Sequence, residues 1–268
     1  MATGKLTVRE MLELKGERII TLTTAFDSET AKAAEVAGMD VIVTWEPDTG
    51  TLEELLLNIH KVRKGAPNTV VGAGLPANPA FVSDAEMIRC ALMALRKGAD
   101  LIYSSGNRIE RFAALGKQKI PFVGHVGLLP GQETWFGGLR AVGKTWQEAL
   151  KVYNDTVAFQ KAGAVAVEME CVPHEIAAEI TRRVDILTFS LGSGPKCDGQ
   201  FLFSSDLLGT HSGHYPRHSV TYYHFFQESI KAFERYRKEV RNNTFPKKGN
   251  MIEIDPHEYE LFMQNIRK

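Results

Sequence analysis

Two glutamates, Glu168 and Glu170, lie two positions apart in an apolar run that reads AVAVEMEC over residues 164–171. Successive side chains of a β-strand point to opposite faces of the sheet. A strand here would therefore point both carboxylates to one side, with Val167 and Met169 on the other. Burying one carboxylate without a partner is costly, and burying two is worse. The pair therefore indicates a functional site.

Two kinds of chemistry fit such a pair. Carboxylates that converge with a histidine form a general-base site or a metal site, and His125 in the run PFVGHVG is the histidine we expect there. Without a metal, repulsion and desolvation would raise the pKa values of Glu168 and Glu170, leaving one as the acid and the other as the base. The structural alternative is that one of them caps a helix or pairs with an arginine.

The elements that position these residues alternate along the chain. Apolar runs predict strands at residues 18–26, 40–45, 68–74, 99–105, 121–127, 164–171 and 185–194. Helical periodicity with capping residues predicts helices at residues 28–38, 51–65, 83–98, 108–118, 145–163 and 174–184, and a long final helix at about 219–242. We place a short eighth strand near residues 207–210.

Repeated strand-then-helix units predict a parallel sheet, and eight of them in this length favour an α/β fold of the closed (β/α)₈ TIM-barrel type over an open sheet. The prediction is a single barrel domain at residues 1–245. Residues 246–268 read as a C-terminal extension that packs on the barrel or on a neighbouring subunit.

Chemistry in such barrels lies at the carboxyl ends of the strands. The polar or aromatic residues at those ends define our candidate site. For catalysis we select Glu170, His125 and Glu168. For substrate binding we select Trp45, Tyr103, Ser105 and Ser190, and the candidate metal ligand is Glu46.

Composition limits the function classes. The chain has 268 residues, with 32 basic and 32 acidic side chains, and this neutral balance argues against a nucleic-acid surface. Three scattered cysteines are too few for a disulfide framework. Since no signal peptide or membrane-spanning stretch is evident, we expect a cytoplasmic protein with a small-molecule substrate and no membrane partner.

Three other features carry less weight. The runs GAGLPANP and LGSGP lack the full dinucleotide-binding pattern and read as loop turns. His211, His214 and His218 have helical spacing, but an intervening glycine and proline would break that helix. Cys171 adjoins Glu170, yet alternation turns it away from the site, so we interpret it as a packing residue.

Several motifs resemble those of the ketopantoate hydroxymethyltransferase family. The resemblance covers about residues 7–245. It rests on TLTTAFD, HKVRKGAPN, GHVGLLPGQETWFGG, ECVPHEIAAEIT, DGQFLFSSDLLG and GHYPRH. It implies a barrel of the phosphoenolpyruvate mutase/isocitrate lyase type and a large homo-oligomer. It also implies Mg²⁺-dependent transfer of a hydroxymethyl group from methylene-tetrahydrofolate to 2-oxoisovalerate, with Glu170 as the general base.

The chain departs from the family pattern at the expected metal and substrate positions. The family's Gly-Asp-Ser after the second strand matches Trp45-Glu46-Pro47, and its Asp-Leu-Pro after the third matches Gly74-Leu75-Pro76. Its Lys-x-Glu on the fourth strand falls on Tyr103 and Ser105. The position of Glu168 is normally apolar in the family. We therefore expect weak Mg²⁺ binding, and two alternatives stay open: an ion relocated to Glu46 and Glu168, or a metal-free pair of acids.

Three functional hypotheses follow. The first is a family-like enzyme that makes or breaks a C–C bond through an enolate of a small carboxylic or oxo acid, with an altered substrate. The second is hydroxymethyl transfer with a rebuilt metal site, which alone would require methylene-tetrahydrofolate. The third is a catalytically silent paralogue that acts by assembling with another protein.

Overall fold

The computed structural model describes residues 5–46, 50–103, 108–129 and 131–266. Its strands are β1 (Ile20–Thr24), β2 (Val41–Thr44), β3 (Val70–Gly74), β4 (Leu101–Tyr103), β5 (Phe122–Gly127), β6 (Ala166–Glu170), β7 (Leu187–Leu191) and β8 (Gly199–Phe201). Neighbouring strands pair in parallel in chain order, and β8 returns to pair with β1. The predicted (β/α)₈ TIM barrel is confirmed.

The helices lie between and after these strands. They are α1 (Val8–Glu13), α2 (Ser28–Val36), α3 (Leu52–Gly65), α4 (Ala77–Ala80), α5 (Asp84–Lys97), α6 (Ile109–Lys117), α7 (Glu133–Phe136), α8 (Trp146–Ala162), α9 (His174–Arg183), α10 (Ser204–Leu208), α11 (Phe225–Arg241) and α12 (Pro256–Ile266). A short 3-10 helix spans Lys248–Asn250. The sequence did not predict α1 or the helices α4, α7, α10 and α12, and α11 begins six residues later than the predicted start at about residue 219.

The predicted eighth strand near residues 207–210 is wrong. Leu207 and Leu208 belong to α10, which ends at Gly209 in the left-handed conformation with φ 61°. The true β8 has three residues, one of them a glycine, so its sequence has no alternation to detect. It forms because its backbone completes the ladder between β7 and β1.

Side-chain caps begin several helices, as the sequence indicates. The Oγ of Ser83 accepts a hydrogen bond from the backbone N–H of Glu86 at 3.1 Å. Asp27 caps α2 by accepting from the backbone N–H groups of Glu29 and Thr30 at 2.9 and 2.8 Å. Such bonds satisfy donors that the first helical turn leaves unpaired. Asp27, a polar residue after β1, thus has a structural partner.

Alternate side chains of the strands form two apolar layers. One fills the barrel interior and includes Leu22, Val43, Tyr103 and Phe189. The other lies between strands and helices and includes Val167 and Met169 of β6. The alternation expected for β6 is therefore present, and Glu168 and Glu170 share the inward face with Ala166.

Partly buried charge pairs hold the amino ends of the strands. Asp198, just before β8, accepts a hydrogen bond from the backbone N–H of Thr188 at 2.9 Å and pairs with Lys15 at 2.7 Å. Asp100, before β4, pairs with Arg63 at 2.5 Å and accepts from the backbone N–H of Val71 at 2.9 Å. These contacts tie neighbouring strands together at the rim opposite the expected site, where barrels place residues of structural importance.

No described residue of α11 or α12 is buried, although α11 is one of the longest helices of the protein. Across the described parts of the chain, no helix combines the length and apolar character needed to cross a bilayer.

Candidate active site

Pairing between β5 and β6 creates the central cluster. In that register His125 lies opposite Glu168, and Gly127 lies opposite Glu170. The Nε2 atom of His125 is 3.1 Å from Oε2 of Glu170, a hydrogen-bond distance, and 3.9 Å from Oε1 of Glu168. The structure therefore brings together the three residues that the sequence selected for catalysis.

The cluster is shielded from water. His125 and Glu168 are 5 and 7% exposed, and Glu170 is partly buried. One nitrogen or oxygen from each residue lies within 4.8 Å of the others. Among the described residues, this is the group of three or more acidic, histidine or cysteine side chains close enough to hold an ion. Acids and an imidazole in this arrangement suit either proton transfer or ion binding.

The backbone of Glu170 is held by close contacts with the end of β5. Its carbonyl accepts a hydrogen bond from the N–H of Leu128 at 2.8 Å. A Cβ on Gly127, whose φ is 91°, would lie 2.3 Å from the same carbonyl oxygen. Only glycine permits both this φ and this approach. Gly127 thus fixes the strand end that carries Glu170.

Burial determines the electrostatics of Glu168. Loss of solvent raises its pKa from 4.5 to about 7, the Glu170 carboxylate adds to the rise, and His125 opposes it. Near neutral pH, Glu168 is therefore present in both protonated and ionised forms, so it can donate as well as accept a hydrogen bond.

Tyr103 ends β4 inside the barrel. It is 4% exposed, and its hydroxyl has no hydrogen-bond partner among the described residues. Burial, and then the charge of Glu168, raise its pKa well above the ordinary value, so the hydroxyl keeps its proton. A Cβ on Gly72 would lie 2.5 Å from the Tyr103 ring, so the glycine provides the space that the ring occupies.

Trp45 follows β2 and packs against the interior layer as part of an aromatic group. Its ring meets Phe26 edge-on at 4.7 Å and Phe203 at 5.4 Å between centroids. We call Phe26, Trp45 and Phe203 the aromatic wall. Trp45 is predicted from the sequence, whereas both phenylalanines were missed, although each lies just beyond a strand, β1 or β8, where inward side chains reach the mouth.

Glu46 does not join the acid–histidine cluster. Burial raises its pKa to about 7, with a further rise from the charge of Glu54 on α3, so Glu46 lies toward that helix. Its Oε2 atom is buried without a hydrogen-bond partner among the described residues. Strand alternation explains the placement, because Trp45 takes the inward position and the next residue turns outward.

The remaining candidates lie elsewhere. Ser190 pairs in register with Met169 of the outer layer, and its Oγ accepts from the N–H of Ser193 at 3.0 Å. It therefore supports the turn after β7 and is not brought to the cluster. Ser105, like Pro47, lies outside the described residues.

Cys171 lies at the edge of the site. Its φ is 51°, and its Sγ is 3.7 Å from Nδ1 of His218. Burial, and then the charge of Glu170, raise its pKa from 9.0 to about 11. The reactive thiolate is therefore disfavoured at neutral pH, which agrees with the interpretation of Cys171 as a packing residue.

A closed parallel barrel with an acid–histidine cluster at the carboxyl ends of its strands is the arrangement of a (β/α)₈-barrel enzyme. A model of the ketopantoate hydroxymethyltransferase family matches residues 5–248. The 3-methyl-2-oxobutanoate hydroxymethyltransferase of Thermosipho africanus is 31% identical over 264 residues, covering 92% of this chain and 98% of that protein. The chain belongs to the ketopantoate hydroxymethyltransferase family.

Solved structures share the architecture at lower identity. Phosphonopyruvate hydrolase in complex with oxalate and Mg²⁺ has a TM-score of 0.58 at 12% identity, covering 98% of this chain and 97% of that one. The triclinic crystal form of 2,3-dimethylmalate lyase, a PEP mutase/isocitrate lyase superfamily member, has a TM-score of 0.57 at 15% identity, covering 94% and 93%. These similarities show a shared barrel fold.

Mg²⁺ does not fit the positions that the family resemblance assigns to it. The hard cation prefers an octahedron of oxygen ligands, of which one or two are carboxylates and several are waters. Trp45 and Gly74 supply no side-chain oxygen where the mouth opens, and Glu46 lies toward α3. The His125–Glu168–Glu170 cluster offers a mixed nitrogen and oxygen set, which suits transition metals better than magnesium.

We expect weak Mg²⁺ binding in the absence of substrate, because each lost carboxylate removes a charged ligand from a cation that gives up its water reluctantly. Isothermal titration with MgCl₂, run beside a family member that retains both aspartates, measures the difference. Tight binding of one equivalent by this chain would contradict the prediction.

The buried Glu168 should make stability depend on pH. Between pH 4.5 and about 7 the folded state holds a proton that the unfolded chain has released, so stability falls as pH rises through this range. Glu168→Gln removes this titration. We therefore expect the free energy of unfolding of the variant, relative to that of the wild type, to rise by up to about 3 kcal/mol between pH 5 and pH 8.

Urea unfolding at both pH values measures this change, with Glu175→Gln as the control because Glu175 is exposed. An equal effect of Glu168→Gln at pH 5 and pH 8 would show that the carboxyl titrates normally.

Proposed function

We propose that the chain is a C–C bond-making or bond-breaking enzyme that acts through the enolate of a small oxo compound, with a substrate different from that of its named relatives. The observation that carries this proposal is the His125–Glu170 hydrogen bond beside the buried Glu168. A carboxylate positioned by an imidazole, next to a second carboxyl that can donate, matches the needs of proton abstraction next to a carbonyl.

In the proposed reaction, Glu170 acts as the base. His125 donates its Nε2 hydrogen to Oε2 of Glu170 and orients the carboxylate, which leaves the other carboxylate oxygen for the substrate proton. The C–H bond breaks, the proton moves to Glu170, and the electron pair forms an enolate. In this proposal protonated Glu168 donates a hydrogen bond to the developing oxyanion.

The residues at the positions where the family resemblance places substrate contacts support an altered substrate. Tyr103 replaces the lysine that would hold a 2-oxo acid, and a neutral hydroxyl cannot provide the same charged contact. Losing a hydrogen bond to a charged group costs about 1.5–3 kcal/mol, or one to two orders of magnitude in selectivity. We therefore expect poor turnover of 3-methyl-2-oxobutanoate (2-oxoisovalerate).

The second candidate function is 3-methyl-2-oxobutanoate hydroxymethyl transfer itself. It is favoured by relatives of that name at about a third identity over nearly the whole chain. It would use methylene-tetrahydrofolate and a metal site rebuilt on the acid–histidine cluster. Turnover of that substrate with methylene-tetrahydrofolate at a rate typical of the relatives would favour it over the first proposal.

We expect Glu170→Gln to abolish proton abstraction, with a loss of about a hundredfold or more, because the near-isosteric amide cannot accept the proton. The measurement is deuterium exchange in D₂O, followed by NMR at the isopropyl methine carbon, or at the methylene carbon of phenylacetone. The probes are 3-methyl-2-oxobutanoate, 3-methyl-2-butanone and phenylacetone.

Two further variants sharpen the result. Glu168→Gln should shift the acidic limb of the pH–rate profile if the two carboxylates are coupled, whereas Glu175→Gln should leave exchange unchanged. Full exchange by Glu170→Gln would refute Glu170 as the base. Absence of exchange by wild type with every probe would refute enolate chemistry.

We also propose that the chain is a homo-oligomer. Supporting this, α11 carries exposed apolar side chains at helical spacing, including Phe233 at 73% and Tyr236 at 55% exposure. α12 adds Phe262 at 53%. Large apolar patches on a soluble surface mark interaction sites, and a second copy of the chain fits the assembly implied by the family resemblance.

Light scattering should therefore give a mass that is a multiple of 29.8 kDa. Phe233→Glu should shift the distribution of oligomer masses toward smaller species, because it places a charge in the interface. Glu234→Lys, which changes the charge of the same helix at the next position, is the control. A monomeric wild type would contradict the proposal.

A further inference from the structure

We propose that the active site selects a carbonyl compound with an uncharged, apolar group where a 2-oxo acid has its carboxylate. The inference rests on the proposed enolate chemistry and narrows its substrate to ketones, aldehydes or esters. It follows from the charge of the barrel interior and from the side chains that line the mouth.

No cationic side chain is available on the strands. None of the eight strands contains lysine or arginine, and their acids are Glu168 and Glu170. A substrate carboxylate beside these strands would give up its hydration without gaining a lysine or arginine partner from them, and it would meet like charge. An uncharged group avoids both penalties.

The aromatic wall supplies a favourable contact for such a group. Trp45 stays partly exposed while its ring is held between Phe26 and Phe203. Phe203 in turn packs against Phe201 of β8 at 5.5 Å, so the wall continues into the barrel. Flat, fixed rings favour apolar or aromatic groups through area burial and ring stacking.

Two glycines make room for the bulky side chains. A Cβ on Gly74 would lie 3.1 Å from the Cβ of Trp45, and one on Gly72 would lie 2.5 Å from the Tyr103 ring. The mouth thus has two large aromatic residues, with small neighbours beside them, at the places where the family resemblance puts a metal ligand region and a lysine. We infer that these changes together exchange an anion-binding surface for an apolar one.

The test compares deuterium exchange rates for a matched pair of probes. The anion 3-methyl-2-oxobutanoate and the ketone 3-methyl-2-butanone share the isopropyl group and differ in carboxylate against methyl. For each probe, the uncatalysed rate is subtracted and the remaining enzymatic rate is divided by that uncatalysed rate. We expect this ratio to be at least about tenfold larger for the ketone than for the anion, and larger still for phenylacetone.

Two variants change the proposed contacts. Tyr103→Lys restores a cation and should raise exchange of the anion about tenfold or more, whereas Tyr222→Lys, at an exposed tyrosine, should not. Trp45→Ala should slow exchange of phenylacetone more than that of 3-methyl-2-butanone. This variant still tests the inference if Tyr103→Lys fails to fold, which circular dichroism would reveal.

The outcomes separate the two proposals. Faster exchange of the anion than of the ketone by wild type would overturn the uncharged-substrate inference and leave Glu170 as the base. An unchanged probe preference in folded Tyr103→Lys and Trp45→Ala would also overturn it. Absence of exchange with all three probes would overturn both proposals.

Discussion

The register between β5 and β6 is the constraint on which the site depends. Because His125 lies opposite Glu168, and Gly127 opposite Glu170, the imidazole of one strand meets two carboxylates of the next. A shift by one residue would turn these side chains toward the helices. The hydrogen bond from the Leu128 N–H to the Glu170 carbonyl, with the close passage of Gly127, prevents such a shift at the end where the chemistry is expected. Backbone pairing, more than any side-chain contact, thus assembles the cluster.

The same burial that protects the cluster makes it responsive to protons. Glu168 is buried beside His125 and Glu170, and the loss of solvent raises its affinity for a proton into the neutral range. A carboxyl that exchanges its proton near neutral pH serves in proton transfer better than one that is permanently ionised. The desolvation that destabilises the charged form is therefore also the source of its chemical usefulness.

Much of this was readable from the sequence, and the exceptions have physical causes. Alternation in AVAVEMEC predicts the shared face of Glu168 and Glu170, because strand geometry has a fixed period of two. β8 was misplaced because three residues with a glycine carry no period, and only closure of the barrel recruits them. Glu46 was assigned to the mouth by motif position, whereas the inward place belongs to Trp45. Phe26 and Phe203 were missed because they join Trp45 only through contacts between distant parts of the chain.

The charge pairs at the amino ends of the strands bear on how such a site can change over generations. Asp198 and Asp100 pair with Lys15 and Arg63, and each accepts a backbone hydrogen bond from the neighbouring strand at the rim remote from the acid–histidine cluster. Substitutions at the mouth leave these connections untouched, so a lineage can replace ligands and clamps there without first losing a folded protein. The barrel in this sense uncouples inheritance of architecture from inheritance of chemistry. Similarity to a family at the mouth is then weak evidence that the substrate is unchanged. The same degree of similarity at the opposite rim is stronger evidence that the fold is unchanged.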